Sequence, residues 1–509
     1  MKFYDAVISK TNTAGNRAGR SNPAARVALV AYATLITGLL LSGCSTLELD
    51  QNKLTKSQTP IAAPATTGSE TAEEQEHRRL VALYGGEYFH PPVETLLTSV
   101  LGRLAKTEGA AREPYRLTLL NSAVVNAFAL PSGRIYVTRG LLALANDTAE
   151  VAAVMAHEIA HVTAKHAAQR AELEKDSAVI SKAATIIQTP EKGQEVKDYR
   201  KLSLASFSRA QEFEADRVGI STVSKAGYEA YGASRFLTSL GRSTALRASL
   251  IGQKGNSERP DILSTHPSTP ERIREAVSAA RQIAAPGFGE TGHDAYLAAL
   301  NGLVFGDDPS EGVIRTNHFT HPKLDFTFTA PNGFVLENSP QALLGLGSNG
   351  AESVRLDSVR LPASTTLEDY LASGWIEGLD KASITPGSIN SFPATFATAK
   401  DGAWSFKLVV IRFGTDIYRL IFATKTLNPE ADQRFLSSMN SFRRISTQEA
   451  AKVQPLKISI HVASSGDSFA SMAAQMSFTD RPEEHFRLLN GLEPNEALVT
   501  GQSYKIVSE

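Results

Sequence analysis

The 509-residue chain has one cysteine, two tryptophans and no excess of either charge. Because a single cysteine cannot pair within the chain, no intramolecular disulfide can stabilise the fold. The formal net charge of −1 argues against the basic surface with which proteins neutralise phosphates, so we expect no nucleic-acid partner. Long apolar runs are also scarce. One run, Val27–Leu41, stands out, and no other approaches the roughly 18 residues of a spanning helix.

Cys44 lies just after that run, in the sequence LSGCS. A basic leader precedes the run, and the whole segment resembles a bacterial lipoprotein signal, in which a peptidase cuts before the cysteine and the thiol is lipidated. We predict a signal peptide over residues 1–43, lipidation of Cys44 and a flexible linker over 44–74. By resemblance to Gram-negative sorting rules, Ser45 favours the periplasmic side of the outer membrane. An uncleaved membrane anchor with a buried free cysteine is the alternative.

Two histidines and a glutamate follow each other in the order His157-Glu158-x-x-His161. Asp147 and Glu150 predict that a helix begins just before them. On a helix, histidines four residues apart share one face and can converge on one Zn²⁺. Glu158 can then reach a water molecule at the metal and act as general base. The alternative is that these are three solvated side chains on an ordinary helix.

A catalytic zinc ion needs a third protein ligand. The segment Ser206–Gly227 has the spacing of a helix and carries three acidic residues, Glu212, Glu214 and Asp216. Glu212 and Asp216 are four residues apart and share a face, whereas Glu214 points away from it. Glu212 can therefore bind the metal, and Asp216 can orient a ligating histidine through its second ring nitrogen. A solvated acidic patch is the alternative.

Four motifs resemble, in this order, the HtpX and CAAX-prenyl-protease superfamily of zinc metallopeptidases: NAFALPSGRIYVTRGLL, EVAAVMAHEIAHVTAKH, EFEADRVG and THPSTPERI. The resemblance covers residues 75–285 and is greatest to the periplasmic lipoprotein branch of the superfamily. It implies a mostly α-helical, gluzincin-type domain with a small β-sheet. It also implies one Zn²⁺ per chain. The residues implied are His157, His161 and Glu212 as ligands, Glu158 as catalytic base and Asp216 as support for a ligand.

The resemblance also gives His266 a part in the site. In the family, the matching histidine approaches the metal, where it can stabilise an oxyanion or occupy the open metal position of a resting enzyme. The alternative is that His266 simply ends a loop before a proline. His166 lies five residues beyond His161, about 140° around a helix, and we therefore predict that it is a surface histidine.

Two segments near the site are candidates for substrate contact. Asn126 and Ala127 match the family's NAF element beside the cleft, and the β-hairpin predicted over residues 126–138 offers an edge to which an extended peptide can add. Phe128 is explained almost as well as a core residue of a strand. Residues 171–200 lie between the two halves of the site in sequence and are predicted to form a movable lid.

The remainder of the chain is predicted to form two further modules. Residues 286–310 are a predicted connecting helix and loop, and 311–446 a small α+β accessory domain without catalytic residues. Residues 456–509 follow a strand–helix–helix–strand pattern that resembles a LysM module. The matching positions are Gly466, Asp467, Asn490, Gly501 and Gln502. The resemblance implies binding to peptidoglycan, and a structural or substrate-docking role is the alternative.

These features predict a multidomain zinc endopeptidase that is attached to the membrane through the lipid on Cys44. Its expected substrates are misfolded or misassembled proteins of the cell envelope, and peptidoglycan is a further expected partner through residues 456–509. The competing hypothesis is a chaperone or scaffold for envelope or cell-wall assembly, with its zinc site closed by His266.

Overall fold

A computed structural model of the protein describes seven parts of the chain. They are residues 71–107, 115–170, 207–251, 266, 269–347, 350–477 and 481–509. The predicted signal peptide, Cys44, most of the predicted linker and the predicted lid therefore lie outside the described residues. Among the residues that are described, no helix has the length and apolar character needed to cross a membrane.

The N-terminal part of the described chain, up to residue 300, consists of helices around a small β-sheet. The helices are α1 (Ala72–Leu83), α2 (Pro91–Thr107), α3 (Arg139–Leu144), α4 (Thr148–Thr163), α5 (Arg209–Lys225), α6 (Gly232–Ile251), α7 (Pro270–Ile283) and α8 (His293–Leu300). The strands are β1 (Arg116–Leu120), β2 (Ala127–Ala129) and β3 (Arg134–Thr138). β3 lies in the centre, parallel to β1 and antiparallel to β2, so β2 is an edge strand and the predicted hairpin is confirmed.

Helix α4 begins where Asp147 and Glu150 predicted a start. The Asp147 side chain accepts a hydrogen bond from the backbone N–H of Glu150, and the Glu150 carboxylate accepts one from the N–H of Asn146. These bonds satisfy donors that a helix N-terminus leaves unpaired. Every residue of α4 from Thr148 to His161 is buried. The helix therefore passes through the core, and any charged or polar side chain on it needs a partner there.

Helix α5 packs closely against α4. Ser208 caps its N-terminus with a complete capping box. A side chain at Gly219 would bring its Cβ within 3.1 Å of the backbone nitrogen of His157, so glycine permits this close approach. As a result, the face of α5 that carries Glu212 and Asp216 lies against the histidines of α4.

The middle of the described chain is rich in β-strands. The short strand β4 (Val304–Phe305) precedes this region. The strands of the region are β5 (Val313–Arg315), β6 (His318–His321), β7 (Phe326–Thr329), β8 (Val335–Asn338), β9 (Leu343–Leu346), β10 (Glu352–Arg360), β11 (Leu379–Ile389), β12 (Phe392–Asp401), β13 (Trp404–Phe413), β14 (Asp416–Thr424) and β15 (Arg443–Arg444). The helices are α9 (Leu367–Ala372) and α10 (Pro429–Asn440). The sheet of order β11-β12-β13-β14-β10-β9-β8 is antiparallel throughout, and a second sheet has the order β15-β7-β6-β5. This β-rich region has a hydrophobic core of its own.

The last part of the described chain follows the predicted strand–helix–helix–strand order. After α11 (Thr447–Ala451) come β16 (Leu456–Val462), α12 (Phe469–Ala473), α13 (Pro482–Leu489) and β17 (Ser503–Ser508). β16 pairs with β17 and also with β4, which precedes the β-rich region. Buried residues of this module, of α8 and of the helices around the first sheet form one continuous core. The segment 286–310 thus contributes α8 and β4 to that shared core.

A buried lysine joins the C-terminal module to the region of α4. The side chain of Lys505, on β17, is fully buried, and its Nζ donates to the backbone carbonyls of Ala143 at 2.8 Å and Ala145 at 2.7 Å. These carbonyls lie at the C-terminal end of α3, where the helix dipole favours a cation. Burial lowers the pKa of Lys505 to about 7, while the negative charges of Glu150 and Asp147 act in the opposite direction.

We expect Lys505→Met to lower the free energy of unfolding by about 3 kcal/mol, because two buried carbonyls lose their donor and Glu150 loses a nearby cation. Urea-induced unfolding measures the change. Lys457→Met is the matched control, since Lys457 is exposed on the neighbouring strand β16 and should change stability by less than about 0.5 kcal/mol. Equal effects of the two substitutions would contradict the prediction.

Candidate metal centre

Four buried side chains meet between α4, α5 and the segment before α7. His157, His161, Glu212 and His266 each place one ligand atom within 4.8 Å of the ligand atoms of the others. The two histidines of α4 lie one helical turn apart, and Glu212 lies in the first turn of α5. The structure therefore brings together four of the residues that the sequence singled out, although they come from three separate segments.

The distances among these atoms fit a small metal ion. Nε2 of His157 lies 3.0 Å from Nε2 of His161 and 3.2 Å from Nδ1 of His266. Glu212 places Oε1 2.9 Å from Nδ1 of His266 and 3.6 Å from Nε2 of His161. In a tetrahedral site with bonds of ~2.0–2.1 Å, ligand atoms lie roughly 3.3 Å apart. Because the observed separations lie around this value, and imidazole with carboxylate is a common donor set, the residues fit a divalent metal ion.

The electrostatics around His161 favour the neutral imidazole that metals bind. Burial lowers the pKa of His161 far below its usual value, and the neighbouring His157 and His266 lower it further. Phe207 stacks on the ring of His161, with 3.9 Å between ring centroids. The ring is therefore shielded and uncharged, which is the state in which histidine acts as a ligand.

Asp216 supports the other histidine of α4. Its Oδ1 lies 3.0 Å from Nδ1 of His157, the ring nitrogen opposite the Nε2 that faces the cluster. Burial by itself would raise the pKa of Asp216, but hydrogen bonds from Arg272 and the close approach of His157, together with their charges, hold it well below its usual value. The ionised carboxylate can thus fix the orientation of the His157 ring.

Arg272, in the first turn of α7, is a residue of the site that sequence reasoning missed. Its Nη1 lies 2.7 Å from Oε2 of Glu212, while its Nε and Nη2 donate to the carboxylate of Asp216 at 2.8 and 2.7 Å. One buried guanidinium therefore compensates two buried carboxylates. Burial would raise the pKa of Glu212, but the hydrogen bond from His266 and nearby positive charges, including that of Arg272, lower it. The motif THPSTPERI, which contains both His266 and Arg272, is the sequence signal that could have identified it.

Glu158 lies beside the cluster without belonging to it. Its Oε1 is 3.7 Å from Nε2 of His266 and has no hydrogen-bond partner among the described residues. The carboxylate accepts a hydrogen bond from the backbone N–H of Ala129 on β2. Burial raises the pKa of Glu158 to about 8, although the charge of His157 acts in the opposite direction. A buried carboxylate beside the ligand cluster is placed where a general base could exchange a proton with a water molecule.

The prediction that His166 is a surface histidine was wrong. Its side chain is fully buried, and its Nδ1 lies 2.8 Å from Nδ1 of His161. Helix α4 ends at Thr163, and Lys165 has a positive φ of 56°, in the left-handed region. The angle of about 140° applies only to an uninterrupted helix, so this turn directs the ring of His166 back towards the site.

Asn126 and Ala127 lie at the start of the edge strand β2, and both are buried. The amide Nδ2 of Asn126 donates to the hydroxyl of Tyr84 at 2.9 Å, and its backbone N–H donates to Oγ1 of Thr138. The backbone of β2 faces the site, since the N–H of Ala129 reaches Glu158. The hydrogen bonds of Asn126 therefore help to hold β2 in place beside the site.

Two histidines and a glutamate on one helix, with a further glutamate on a second, form the arrangement that is typical of the metal sites of zinc metallopeptidases. Residues 92–280 match the sequence model of the family described as Peptidase family M48. This match confirms the resemblance that the four motifs predicted.

Similar proteins carry the names of proteases. The chain is 28% identical over 223 residues to the beta-barrel assembly-enhancing protease of Escherichia coli (strain K12), covering 42% of this chain and 44% of that protein. It is 25% identical to the protein of the same name from Yersinia pestis, over 49% of this chain and 53% of that protein. The mitochondrial metalloendopeptidase OMA1 of Arabidopsis thaliana is 31% identical over 36% of each chain. The chain thus spans about half or less of the length of these relatives.

Proposed function

We propose that the protein is a zinc-dependent endopeptidase, with His157, His161 and Glu212 as zinc ligands and Glu158 as general base. The observation that carries the proposal is the convergence of four buried ligand atoms beside the buried carboxylate of Glu158. The M48 match and the metalloendopeptidase named among the relatives support it. When bound, zinc supplies a Lewis acid that polarises the scissile carbonyl and makes water a better nucleophile.

The residues of the chain then have distinct tasks. Glu158 accepts a proton from the attacking water and passes it to the leaving amine. Asp216 holds the ring of His157, and Arg272 keeps the carboxylates of Glu212 and Asp216 ionised. An extended substrate aligns along the edge of β2 that does not pair with β3. The outward backbone groups other than the N–H of Ala129, which Glu158 accepts, can pair with it there. In this proposal Asn126 and Ala127 set the position of that edge.

His266 is proposed to close the site at rest. Its Nδ1 lies within 3.2 Å of both His157 and Glu212, where it can serve as a fourth ligand, and it must withdraw before a substrate carbonyl can approach. It can then stabilise the oxyanion that forms during hydrolysis. The same contacts support a second candidate function, a chaperone or scaffold whose metal site stays closed.

The proposed substrates are misfolded or misassembled proteins of the cell envelope. The name beta-barrel assembly-enhancing protease, borne by the relatives from Escherichia coli and Yersinia pestis, supports a substrate class that is connected with protein assembly. The lipoprotein-like segment that ends at Cys44 supports a location on the periplasmic side of the outer membrane, anchored through the lipid.

The C-terminal module, residues 456–509, is proposed to have mainly a structural role in the peptidase. The shared core and the buried Lys505 support this role. Binding to peptidoglycan is the alternative, and a pull-down on purified peptidoglycan tests it with the full chain. The β-rich domain, residues 311–446, is proposed to position or recruit substrates.

Metal removal tests the proposed function. We expect the purified protein to contain one zinc ion per chain by mass spectrometry and to cleave casein. Dialysis against a chelator should abolish cleavage, because the Lewis acid is lost, and added Zn²⁺ should restore it. A protein that holds zinc but cleaves no substrate would support the scaffold function, and a protein without zinc would contradict both candidates.

A further inference from the structure

We infer that His166 is a positioning residue of the metal centre. It accepts the hydrogen bond that fixes the tautomer of His161 and connects this ligand to Glu214. The inference deepens the proposed function and rests on it, since the role of His166 has meaning only if His161 binds zinc. Neither the spacing of the motif nor the cluster of four ligand atoms assigns a role to His166.

The geometry defines which nitrogen of His161 carries the proton. Nε2 of His161 faces the cluster, 3.0 Å from Nε2 of His157 and 3.6 Å from Oε1 of Glu212. A neutral imidazole that binds a metal through Nε2 must carry its hydrogen on Nδ1. This Nδ1 lies 2.8 Å from Nδ1 of His166, a distance that corresponds to a short hydrogen bond. His161 is therefore the donor and His166 the acceptor.

The same reasoning determines the state of His166. If its Nδ1 accepts a hydrogen bond, its own hydrogen must be on Nε2. That Nε2 lies 3.4 Å from Oε2 of Glu214, which is an acceptor. His161 thus donates a hydrogen bond to His166, and His166 donates one to Glu214. With hydrogens on both of its nitrogens, His166 would present an N–H group to the N–H group of His161 at 2.8 Å, which is unfavourable.

The position of the acidic residues on α5 explains why an imidazole takes this place. Asp216 lies on the face of α5 that packs against α4, and its carboxylate reaches Nδ1 of His157 directly, at 3.0 Å. Glu214 lies on a different face, and its side chain is 51% exposed. The ring of His166 spans the gap between this carboxylate and His161. Each histidine ligand of α4 then has a polar partner on its second nitrogen, which is how proteins orient metal-binding imidazoles.

The local backbone holds His166 in this role. Lys165 takes a left-handed conformation that residues other than glycine rarely adopt, and this turn aims the His166 ring at His161. The following residues are tied to both neighbouring helices. Gln169 donates to the carbonyl of Ala164 at 2.9 Å and accepts from the side chain of Gln211 at 3.1 Å. The ring itself is fully buried, so water cannot replace it as the acceptor.

The test is the zinc dissociation constant of the full chain, measured by competition with a chromophoric chelator. We expect His166→Leu to raise this constant 10- to 100-fold, because the second nitrogen of His161 loses its partner. His166→Asn should stay within about threefold of the wild type, since its amide oxygen can lie near the position of Nδ1 and accept the same bond. Glu214→Ala should raise the constant less than His166→Leu, because the carboxylate is half exposed and its contact is screened.

The controls separate positioning from folding and from the proposed function. His293→Leu alters a partly exposed histidine at the start of α8 and should leave zinc affinity unchanged. Circular dichroism of the metal-free variants checks folding. If His166→Leu does not fold, the zinc dissociation constants of His166→Asn and Glu214→Ala provide the test instead. Unchanged affinity in His166→Leu, or equal weakening in His166→Asn and His166→Leu, overturns the inference alone. A wild-type protein that binds no zinc overturns the proposed function and this inference with it.

Discussion

Glu158→Gln should reduce the rate of peptide hydrolysis about a thousandfold while leaving zinc bound. The amide has nearly the same size as the carboxylate but cannot accept the proton of the attacking water, and general bases contribute roughly 10²–10⁴ to such reactions. Zinc should remain, because Glu158 lies outside the four ligand residues. Hydrolysis of a quenched fluorogenic peptide and zinc analysis on the same preparation measure both properties.

A matched control variant separates a loss of catalysis from a loss of folding. Glu275→Gln, at an exposed position of α7, is the matched control and should cleave at the wild-type rate. Thermal unfolding should differ little between wild type and Glu158→Gln, because the amide occupies nearly the same volume as the buried carboxyl group. A Glu158→Gln protein that cleaves as fast as wild type would rule out this residue as the base.

Arg272→Met should lower the free energy of unfolding of the metal-free protein by about 3–5 kcal/mol. The substitution removes the one guanidinium that contacts both Glu212 and Asp216, and it leaves two buried carboxylates without that charge. Their mutual repulsion and desolvation then favour protonation, so zinc affinity should fall as well. Urea-induced unfolding of the metal-free protein and chelator competition measure the two effects separately.

Two variants define the cause of this effect. Arg274→Met removes a guanidinium from an exposed position of the same helix and should change stability by less than about 0.5 kcal/mol. Arg272→Lys keeps the charge but cannot make the paired contact with Asp216, so it should fall between wild type and Arg272→Met. If Arg272→Lys is as stable as wild type, charge alone is sufficient and the geometry of the guanidinium is not required.

Residues that share one helix face were predictable from the sequence. His157 and His161 are one turn apart on α4, and Glu212 and Asp216 are one turn apart on α5, so helical spacing alone placed each pair on one side. A capped, apolar helix is a local property of its sequence, and its position did not depend on the rest of the fold.

The residues that were missed depend on contacts between elements or on the place where an element stops. His166 is buried because α4 ends at Thr163 and Lys165 turns the chain, although no glycine marks that position. Arg272 resembles any charged residue in the first turn of a helix until its two carboxylate partners are known. The pairing of β16 with β4 likewise joins strands on either side of the β-rich region, and local patterns do not carry that information.

The contact of Lys505 with the end of α3 has a consequence for synthesis of the chain. The hydrogen bond from its Nζ to Ala143 joins residues 362 positions apart. A ribosome releases the helix that carries His157 and His161 long before it reaches β17, so the nascent chain must hold that helix in an incompletely packed state. The candidate metal centre is fully supported only after β17 has been synthesised and has packed against α3, and a ribosome-bound fragment that lacks β17 does not contain the finished core.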